Sequence, residues 1–534
     1  MKNKMLSGTF WMSLGSILSR VLGVVYIIPW LIMLGSVQNQ RTGQALFNVA
    51  YNAYALFFAL GTSGFPTAIS RKIAIYNSQQ RFKDSRHLFR AAIAFMILSG
   101  LICGIVFYLL APTIAAQSPV SDQAAAITVT RALVPALFIL PVMSVIRGWF
   151  EGNQDMKPFG VSQVVEQFIR ILTILLMTFL TFNLFHQSLA TAVAWSTFAA
   201  FTGALASLLY LIAHYKSESA GYYQQLKSSL PATKINVKQL FWQIFKEAIP
   251  FVYLGSGITL GQLIDQFTFK QIMNFSTNFS AIKIQNLYTL FSANPNKITN
   301  VIISFSMAVG ATTLPMLAGT LGQKEKIAAI IQDNLRLLFA LLTPVTIILA
   351  LLAARINTIF YSYDLHGNWL LFWAILMTFI LSAFSDVCTM IQSLGNHRLA
   401  VILLSATLIL KLIIQYPLVF LLRDYGALLA TALAFGVTTW IGLRYLKGLA
   451  PDVVLKNFAD LSLITRANLV FAVLAIALFG LVNLMGISYS KLGSLLFSII
   501  YGIPAALIYV GVAYWYNLPQ IVLKLKSKSQ YKHF

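Results

Sequence analysis

The sequence predicts an all-α polytopic membrane protein with about 14 transmembrane helices. Three observations indicate this class: 58% of the 534 residues are hydrophobic, only 10% are charged, and the apolar residues occur in long runs. Soluble domains carry about 25% charged residues. A run of about 20 apolar residues is long enough to cross the hydrocarbon core of a bilayer as a helix.

Fourteen apolar runs of this length follow one another, and each is interpreted as one span. In chain order they lie near residues 9–34, 45–70, 91–115, 124–147, 160–184, 189–213, 247–270, 298–318, 337–357, 368–393, 399–422, 426–446, 467–486 and 492–516. An even number of spans places both termini on one side of the membrane. The longest connections, near 214–246 and 271–297, are too short for a folded extramembrane domain.

The net charge of +23 is distributed unevenly across the membrane. Of the 38 Lys and Arg residues, 27 fall on the side that holds both termini, 7 fall on the opposite side and 4 lie deep within spans. The positive-inside rule then places both termini in the cytoplasm of a cell whose plasma membrane contains the protein. Topology and attraction to anionic lipid headgroups explain the basic balance, so no nucleic-acid partner is expected.

Two halves of the chain repeat the same landmarks. The stretch "GTSGFPTAISRKIA" (61–74) matches "GATTLPMLAGTLGQKEK" (310–326) in its Gly–Pro spacing and its basic end, and a Gly-Asn pair follows in each half. This pattern predicts two six-helix lobes in parallel pseudo-repeat plus two C-terminal helices, an organisation typical of alternating-access transporters. The predicted segments are an N-terminal lobe (1–214), a cytoplasmic linker (215–246), a C-terminal lobe (247–447), two extra spans (448–516) and a basic cytoplasmic tail (517–534).

Arg20 lies near the centre of the first span, in "WMSLGSILSRVLGVVYIIPW" (11–30). An arginine at the bilayer midplane costs roughly 2.5–3.5 kcal/mol on insertion scales. On a helical wheel Arg20 shares a face of small and polar residues with Ser13, Ser16, Ser19 and Gly23. Two interpretations stay open: a cavity-lining cation that meets an anionic substrate, or a structural arginine paired with an internal carboxylate such as Glu166.

The fifth span carries a polar stripe. Its members recur at helical spacing and are Gln163, Glu166, Gln167 and Arg170. Glu166 and Arg170 are candidate substrate-binding residues, although an i,i+4 ion pair between them is the simpler explanation. Arg147 sits near a predicted membrane interface, where a snorkelling side chain is the plain interpretation.

Three ionisable residues stand out in later spans. Asp265 in the seventh span and Asp386 in the tenth each share a helical face with hydroxyl or amide side chains. Such carboxylates can hold Na⁺ or a proton and couple transport to an ion gradient. Lys411 in the eleventh span is a further candidate for substrate binding, and it is equally a candidate partner for one of the carboxylates.

The motifs of several enzyme classes are missing from the sequence. It contains no GxxxxGK[ST] phosphate loop and no HExxH or CxxC pattern, and its six histidines are scattered. We therefore expect no enzyme activity, no bound cofactor and no metal site, and energy for transport would come from Na⁺, H⁺ or the membrane potential.

Several stretches together resemble the MOP flippase superfamily. They are "LSRVLGVVYIIP", "GFPTAISRKIAIY", "RGWFEGNQDMKPFGVSQVVEQFIRI", "GATTLPMLA" and "IQSLGNHRLA". Within it, the chain is similar to the polysaccharide-biosynthesis and MurJ-type branch, especially YtgP/SpoVB-like members. The resemblance spans the whole chain, and residues 147–171 are its most specific part. It implies that Arg20, in its "SR…G" context, lines a cationic central cavity.

The resemblance also implies a function. It indicates export of an undecaprenyl-pyrophosphate-linked sugar intermediate, such as lipid II for peptidoglycan, from the inner to the outer leaflet. Membrane lipids and the cell-wall synthesis machinery are the further partners expected for the protein. Three alternatives stay open: a flippase for capsule, teichoic or exopolysaccharide units, a MATE-type multidrug or cation antiporter, and a membrane glycosyltransferase or polymerase. Fourteen spans and deep basic residues favour a flippase over the antiporter, and short outer loops disfavour the glycosyltransferase.

Overall fold

A computed structural model describes residues 18–19, 22–62, 65–231, 237–320, 323–448 and 458–523. All regular structure within these residues is helical, which confirms the predicted all-α class. Eleven of the described helical segments are long and apolar enough to cross a membrane, and they coincide with eleven of the predicted spans. The count of fourteen is not confirmed. The first predicted span falls partly outside the described residues, and the predicted spans 247–270 and 298–318 are not among the eleven.

The chain divides into two compact units. The first comprises Met1–Lys270 and Phe279–Asn286. Its described helices are α1 (Ile27–Met33), α2 (Val37–Thr62), α3 (Phe65–Ser78), α4 (Phe82–Gln117), α5 (Gln123–Arg131), α6 (Val134–Gly152), α7 (Lys157–Thr178), α8 (Leu189–Ser217), α9 (Ser219–Lys227), α10 (Val237–Gly255), most of α11 (Gly257–Ser276) and most of α12 (Ala281–Tyr288). A short π-helix, Phe179–Leu184, extends α7.

Helix α6 is central to the packing of the first unit, where it contacts α3, α4 and α8, and α7 packs along α8. Glycine makes the closest of these approaches possible. A Cβ atom on Gly148 of α6 would lie 2.8 Å from the carbonyl oxygen of Pro66 on α3, so a larger residue would force the helices apart. Side-chain caps fix the helix starts: Asp122 accepts a hydrogen bond from the Ala125 amide and so begins α5.

The second unit comprises Gln271–Asn278 and Leu287–Phe534. Its further described helices are α13 (Asn294–Ala318), α14 (Lys324–Leu351), α15 (Ala353–Phe360), α16 (Leu365–Ser393), α17 (His397–Leu422), α18 (Asp424–Gly448), α19 (Phe458–Asn483), α20 (Lys491–Trp515) and α21 (Leu518–Leu523). A π-helical turn, Thr289–Ala293, precedes α13.

The two C-terminal helices α19 and α20 are integrated into the second unit. Phe471 of α19 and Val512 of α20 join Ala340 of α14 in one buried apolar cluster. A neighbouring cluster places Phe497 and Tyr501 of α20, both fully buried, beside α14, α15 and α16. The predicted extra spans therefore share a core with the helices that precede them.

Large apolar side chains are exposed along the spans, as expected where lipid is the solvent. Leu98 and Leu109 on α4 are 56% and 66% exposed. Together with the apolar spans, these surfaces establish a multi-pass membrane protein. The predicted lobe boundaries and the parallel repeat stay predictions. Within the segment predicted as a linker, 215–246, the structure forms helix α9 and the start of α10.

Candidate functional site

Two arginines share one carboxylate at the centre of the first unit. Glu166 on α7 accepts a hydrogen bond from Arg170 Nη2 at 2.7 Å through Oε1 and one from Arg147 Nη2 at 2.9 Å through Oε2. The side chains of Arg147, Glu166 and Arg170 are only 12%, 15% and 20% exposed. The predicted Glu166–Arg170 pair is thus present, and Arg147 enlarges it to a cluster with a net charge of +1.

The interpretation of Arg147 as a snorkelling residue is wrong. Its Nε donates to Ser162 Oγ at 2.8 Å and its Nη2 to Ser207 Oγ at 3.0 Å, in addition to the bond with Glu166. Arg147 thus joins helices α6, α7 and α8 in the interior of the unit. This role was not predictable from sequence because the three helices meet only in the folded chain.

A close crossing of α7 and α8 builds the cluster. A Cβ atom on Gly203 of α8 would lie 2.5 Å from the Glu166 carbonyl oxygen and 3.0 Å from Arg170 Cβ. Only glycine allows this approach, and it brings α8 against the polar stripe of α7.

Arg170 has one buried hydrogen-bond donor that is not used within the described residues. Its Nε is buried and has no hydrogen-bond partner among the described residues, and the same holds for Gln163 Oε1 two helical turns earlier on the stripe. The phenols of Tyr26, Tyr51 and Tyr54 lie near the Arg170 guanidinium. The Arg147–Glu166–Arg170 cluster and its surroundings therefore combine a net positive charge, a guanidinium donor without a partner among the described residues and three phenols, a set suited to an anion.

The first span approaches this stripe at Gly23. A Cβ atom on Gly23 would lie 3.3 Å from Gln167 Nε2. Gly23 lies three residues after Arg20 and shares its predicted helical face. Arg20 itself lies outside the described residues, so its predicted role stays a prediction.

Helix α2 contributes a second polar face that sequence reasoning missed. Gln44, Asn48 and Asn52 recur every four residues and are all buried. Asn52 Nδ2 donates to Gln266 Oε1 on α11 at 3.3 Å, and Gln266 Nε2 donates to the Val49 carbonyl at 3.3 Å. The spacing of these amides in "GQALFNVAYN" (43–52) was a readable signal of an inward polar face.

Lys411 is enclosed within the second unit. Its side chain is fully buried on α17, and its Nζ donates to Thr431 Oγ1 on α18. In this conformation Lys411 links two helices, and its predicted contact with substrate stays a prediction.

Asp386 occupies a buried polar pocket of the second unit. Its side chain on α16 is 1% exposed, and its Oδ1 accepts from Asn334 Nδ2 on α14 at 3.3 Å. Asn334 Nδ2 also donates to Thr313 Oγ1 on α13 at 2.6 Å. Asp386 Oδ2 has no hydrogen-bond partner among the described residues. A free buried carboxylate oxygen beside amide and hydroxyl groups suits a proton or a hard cation.

Asp265 differs in its placement. It is 8% exposed on α11 and belongs to the first unit, whereas Asp386 belongs to the second. Within the described residues, no group of three or more His, Cys, Asp or Glu residues is arranged to hold a metal ion.

Comparison with known sequences identifies a family and related proteins. The profile of a family described as polysaccharide biosynthesis protein matches residues 5–321. The lipid II flippase MurJ of Bacillus subtilis (strain 168) is 33% identical over 459 residues, which are 84% of this chain and 83% of that protein. Stage V sporulation protein B of the same organism is 28% identical over 257 residues, 47% of this chain and 46% of that protein.

Two solved structures share the fold. A lipid II flippase MurJ in an inward closed conformation superposes with a TM-score of 0.62 at 16% identity, covering 94% of this chain and 98% of the other. An inward-facing multidrug resistance MATE family transporter of the MOP superfamily gives 0.61 at 15% identity, covering 80% and 95%. At these identities both matches establish the fold, and the fold alone does not separate a flippase from an antiporter.

Proposed function

The chain belongs to the polysaccharide biosynthesis protein family, in the MurJ branch of the MOP flippase superfamily, and on this premise we propose that it flips lipid II from the inner to the outer leaflet. The observation that carries the proposal is the 33% identity to a lipid II flippase over 84% of this chain. The resemblance read from the sequence is thereby confirmed. So is the prediction of a transporter and not an enzyme, since the matched proteins are a flippase and a MATE family transporter.

The Arg147–Glu166–Arg170 cluster supplies chemistry that fits such a substrate. A lipid-linked pyrophosphate must carry its negative charges across about 30 Å of hydrocarbon. Guanidinium groups match phosphate oxygens in bidentate geometry and desolvate more readily than ammonium groups. Arg170 holds an open buried donor, so it is the described residue we assign to the pyrophosphate, with Glu166 and Arg147 fixing its position. Arg20 would add a second cation from the first span.

The direction of transport follows from charge. The excess of Lys and Arg on the side of the termini supports a cytoplasmic placement of both ends. With the cell interior negative, outward movement of an anion is favoured by about 2.3 kcal/mol per charge per 100 mV. The membrane potential is therefore one energy source for alternating access.

Asp386 is a candidate site for coupling transport to an ion gradient. Its free oxygen and the amide of Asn334 form a buried site in which a proton or Na⁺ neutralises the carboxylate. We assign ion coupling to Asp386, and Asp265 remains the candidate in the first unit. Contact with the cell-wall synthesis machinery stays a prediction.

Depletion of the protein in its host tests the substrate. We expect lipid II to accumulate in the inner leaflet, where an external lipid II-cleaving toxin cannot reach it, and peptidoglycan synthesis to stop. Expression of a Bacillus MurJ should restore the cells. Normal peptidoglycan together with loss of capsule or teichoic polymer would replace lipid II by another lipid-linked unit, and drug sensitivity alone would favour the antiporter.

A further inference from the structure

A basic cavity lies at the end of α4 that the charge distribution assigns to the cytoplasm. It has a volume of about 520 Å³, and its lining contains Lys83, Arg86, His87 and Arg90 from α4 and Lys227 from α9, but no carboxylate. The four α4 positions follow i, i+3, i+4 and i+7 spacing and so share one helical face. Within the described residues, neither Arg86 nor Arg90 forms an ion pair.

Two acidic residues of this region are engaged by other side chains. Asp84 is buried and lies 2.6 Å from Arg81, and Asp155 lies 3.3 Å from His214. The cations of the cavity therefore keep their charge available for an external anion.

The cavity has a preformed wall. The chain after α9 is tied to the start of α4, because the Lys83 amide donates to Ser229 Oγ at 3.0 Å and the Leu230 amide donates to the Gln80 carbonyl at 3.1 Å. These bonds hold Lys227 opposite the basic face of α4.

An adjoining cavity of about 390 Å³ shares Arg86 and Tyr223 with the basic one and is lined by Trp149, Tyr215 and Tyr222. Tyr215 and Tyr222 stack at 5.4 Å, and Trp149 meets the Tyr222 ring edge-on at 5.6 Å. Burial raises the pKa of the Tyr222 phenol to about 12, which keeps its hydroxyl protonated. Aromatic rings with polar ends are typical of the membrane interface.

The same face of α4 continues into the membrane as an apolar stripe. Below Arg90 it passes through Ala94, Ile97, Leu101 and Ile105, which are all exposed. A cationic pocket at the headgroup level above a lipid-facing apolar stripe matches both parts of an anionic phospholipid, whereas a soluble phosphate ligand would leave the stripe unused.

We propose that this pocket binds an anionic phospholipid of the cytoplasmic leaflet, with its phosphate at Lys83, Arg86, Arg90 and Lys227 and its acyl chains along α4. This lipid is neither the substrate nor bound at the Glu166 cluster, so the proposal stands apart from the proposed function. The lipid would act as a fixed anchor for α4 and α9.

Native mass spectrometry of the purified full-length protein tests the proposal. Phosphatidylglycerol or phosphatidylcholine is titrated into the detergent-solubilised protein, and the bound lipid is counted. We expect phosphatidylglycerol to bind preferentially, and the triple variant K83Q/R86Q/R90Q to bind it on the order of 10- to 100-fold more weakly. A matched variant with three neutralised cations outside the pocket, R71Q/K72Q/K216Q, should bind like the unchanged protein.

Two further measurements keep the result decisive. The single variant Lys227→Gln alters the opposite wall and should weaken binding severalfold, which guards against misfolding of the triple variant. Glycerol phosphate and inorganic phosphate are added as soluble competitors. Equal binding by the triple and matched variants overturns the proposal, and so does displacement of the lipid by soluble phosphates at equal concentration.

Discussion

At the scale of single residues, Arg147 and Arg170 share one carboxylate but differ in what else they contact. Arg147 also donates to Ser162 and Ser207, whereas Arg170 retains a buried Nε with no partner among the described residues. Arg147 joins three helices through these bonds, whereas Arg170 keeps a donor that a ligand could use after a rearrangement of the site. On the proposed function, Arg147 would have a structural role and Arg170 a binding role within one cluster.

Substitution by glutamine tests this separation. Arg147→Gln removes a partly buried ion pair and two hydroxyl contacts, so we expect a loss on the order of 2–4 kcal/mol in stability and reduced membrane abundance. Arg170→Gln leaves the Arg147–Glu166 pair intact, so abundance should persist while lipid II transport falls at least about tenfold. Immunoblots, thermal unfolding in detergent and complementation of a depleted strain measure both effects. An equal loss of abundance in both variants would contradict the assignment of Arg170 to substrate.

The prediction that Arg20 lines the substrate cavity rests on the sequence alone. Arg20→Ala should abolish complementation and leave membrane abundance intact, because a cavity-lining cation contributes to binding and not to packing. Arg20→Lys keeps the charge without the bidentate fork and should restore part of the activity. Full complementation by Arg20→Ala would refute the proposed role, and loss of the protein from the membrane would favour a structural arginine.

At the scale of elements, hydropathy predicted where the helices lie but not how they meet. Eleven predicted spans coincide with described helices because a span must be apolar over about 20 residues whatever it packs against. The Glu166–Arg170 pair was predictable because both residues lie on one helix. The partnership of Arg147 with Glu166, 19 positions apart on different helices, depends on the crossing of α6, α7 and α8. Helix α9 lay within a segment predicted as a linker, since its nine residues are too polar to stand out by hydropathy.

The crossing of α7 and α8 provides the test at this scale. Gly203→Ala would place a methyl group 2.5 Å from the Glu166 carbonyl oxygen, so we expect about 1–3 kcal/mol of destabilisation and a displaced cluster. Gly480→Ala on α19 is the matched control, because no heavy atom lies within 4 Å of the added Cβ apart from the neighbouring residues and backbone of its own helix. Thermal unfolding of both variants in the same detergent gives the comparison. Equal unfolding temperatures for the two variants would show that the helices need no glycine at this crossing.

At the scale of the whole molecule, the two proposed energy sources would act on different groups. The membrane potential would act on the net charge that moves with the substrate, and an ion gradient would act through a carboxylate that binds and releases the ion. Asp386 fits the second because its Oδ2 is buried without a partner among the described residues. The net charge of the Arg147–Glu166–Arg170 cluster bears on the membrane potential as an energy source. Arginine side chains that moved together with the anionic substrate would reduce the net charge that crosses the field.

Proteoliposomes with an imposed potential separate the two sources. Outward movement of one net negative charge gains about 2.3 kcal/mol per 100 mV, so collapsing the potential with a potassium ionophore should slow flipping by up to about 50-fold. Asp386→Asn keeps the size of the side chain and removes its ionisation, so it should abolish any response to a Na⁺ or pH gradient while the response to the potential persists. Asn368→Asp, which alters a buried amide elsewhere on α16, controls for changes in that helix. If flipping by the Asp386→Asn protein still follows the ion gradient, coupling must lie at another carboxylate, and Asp265 is the next to substitute.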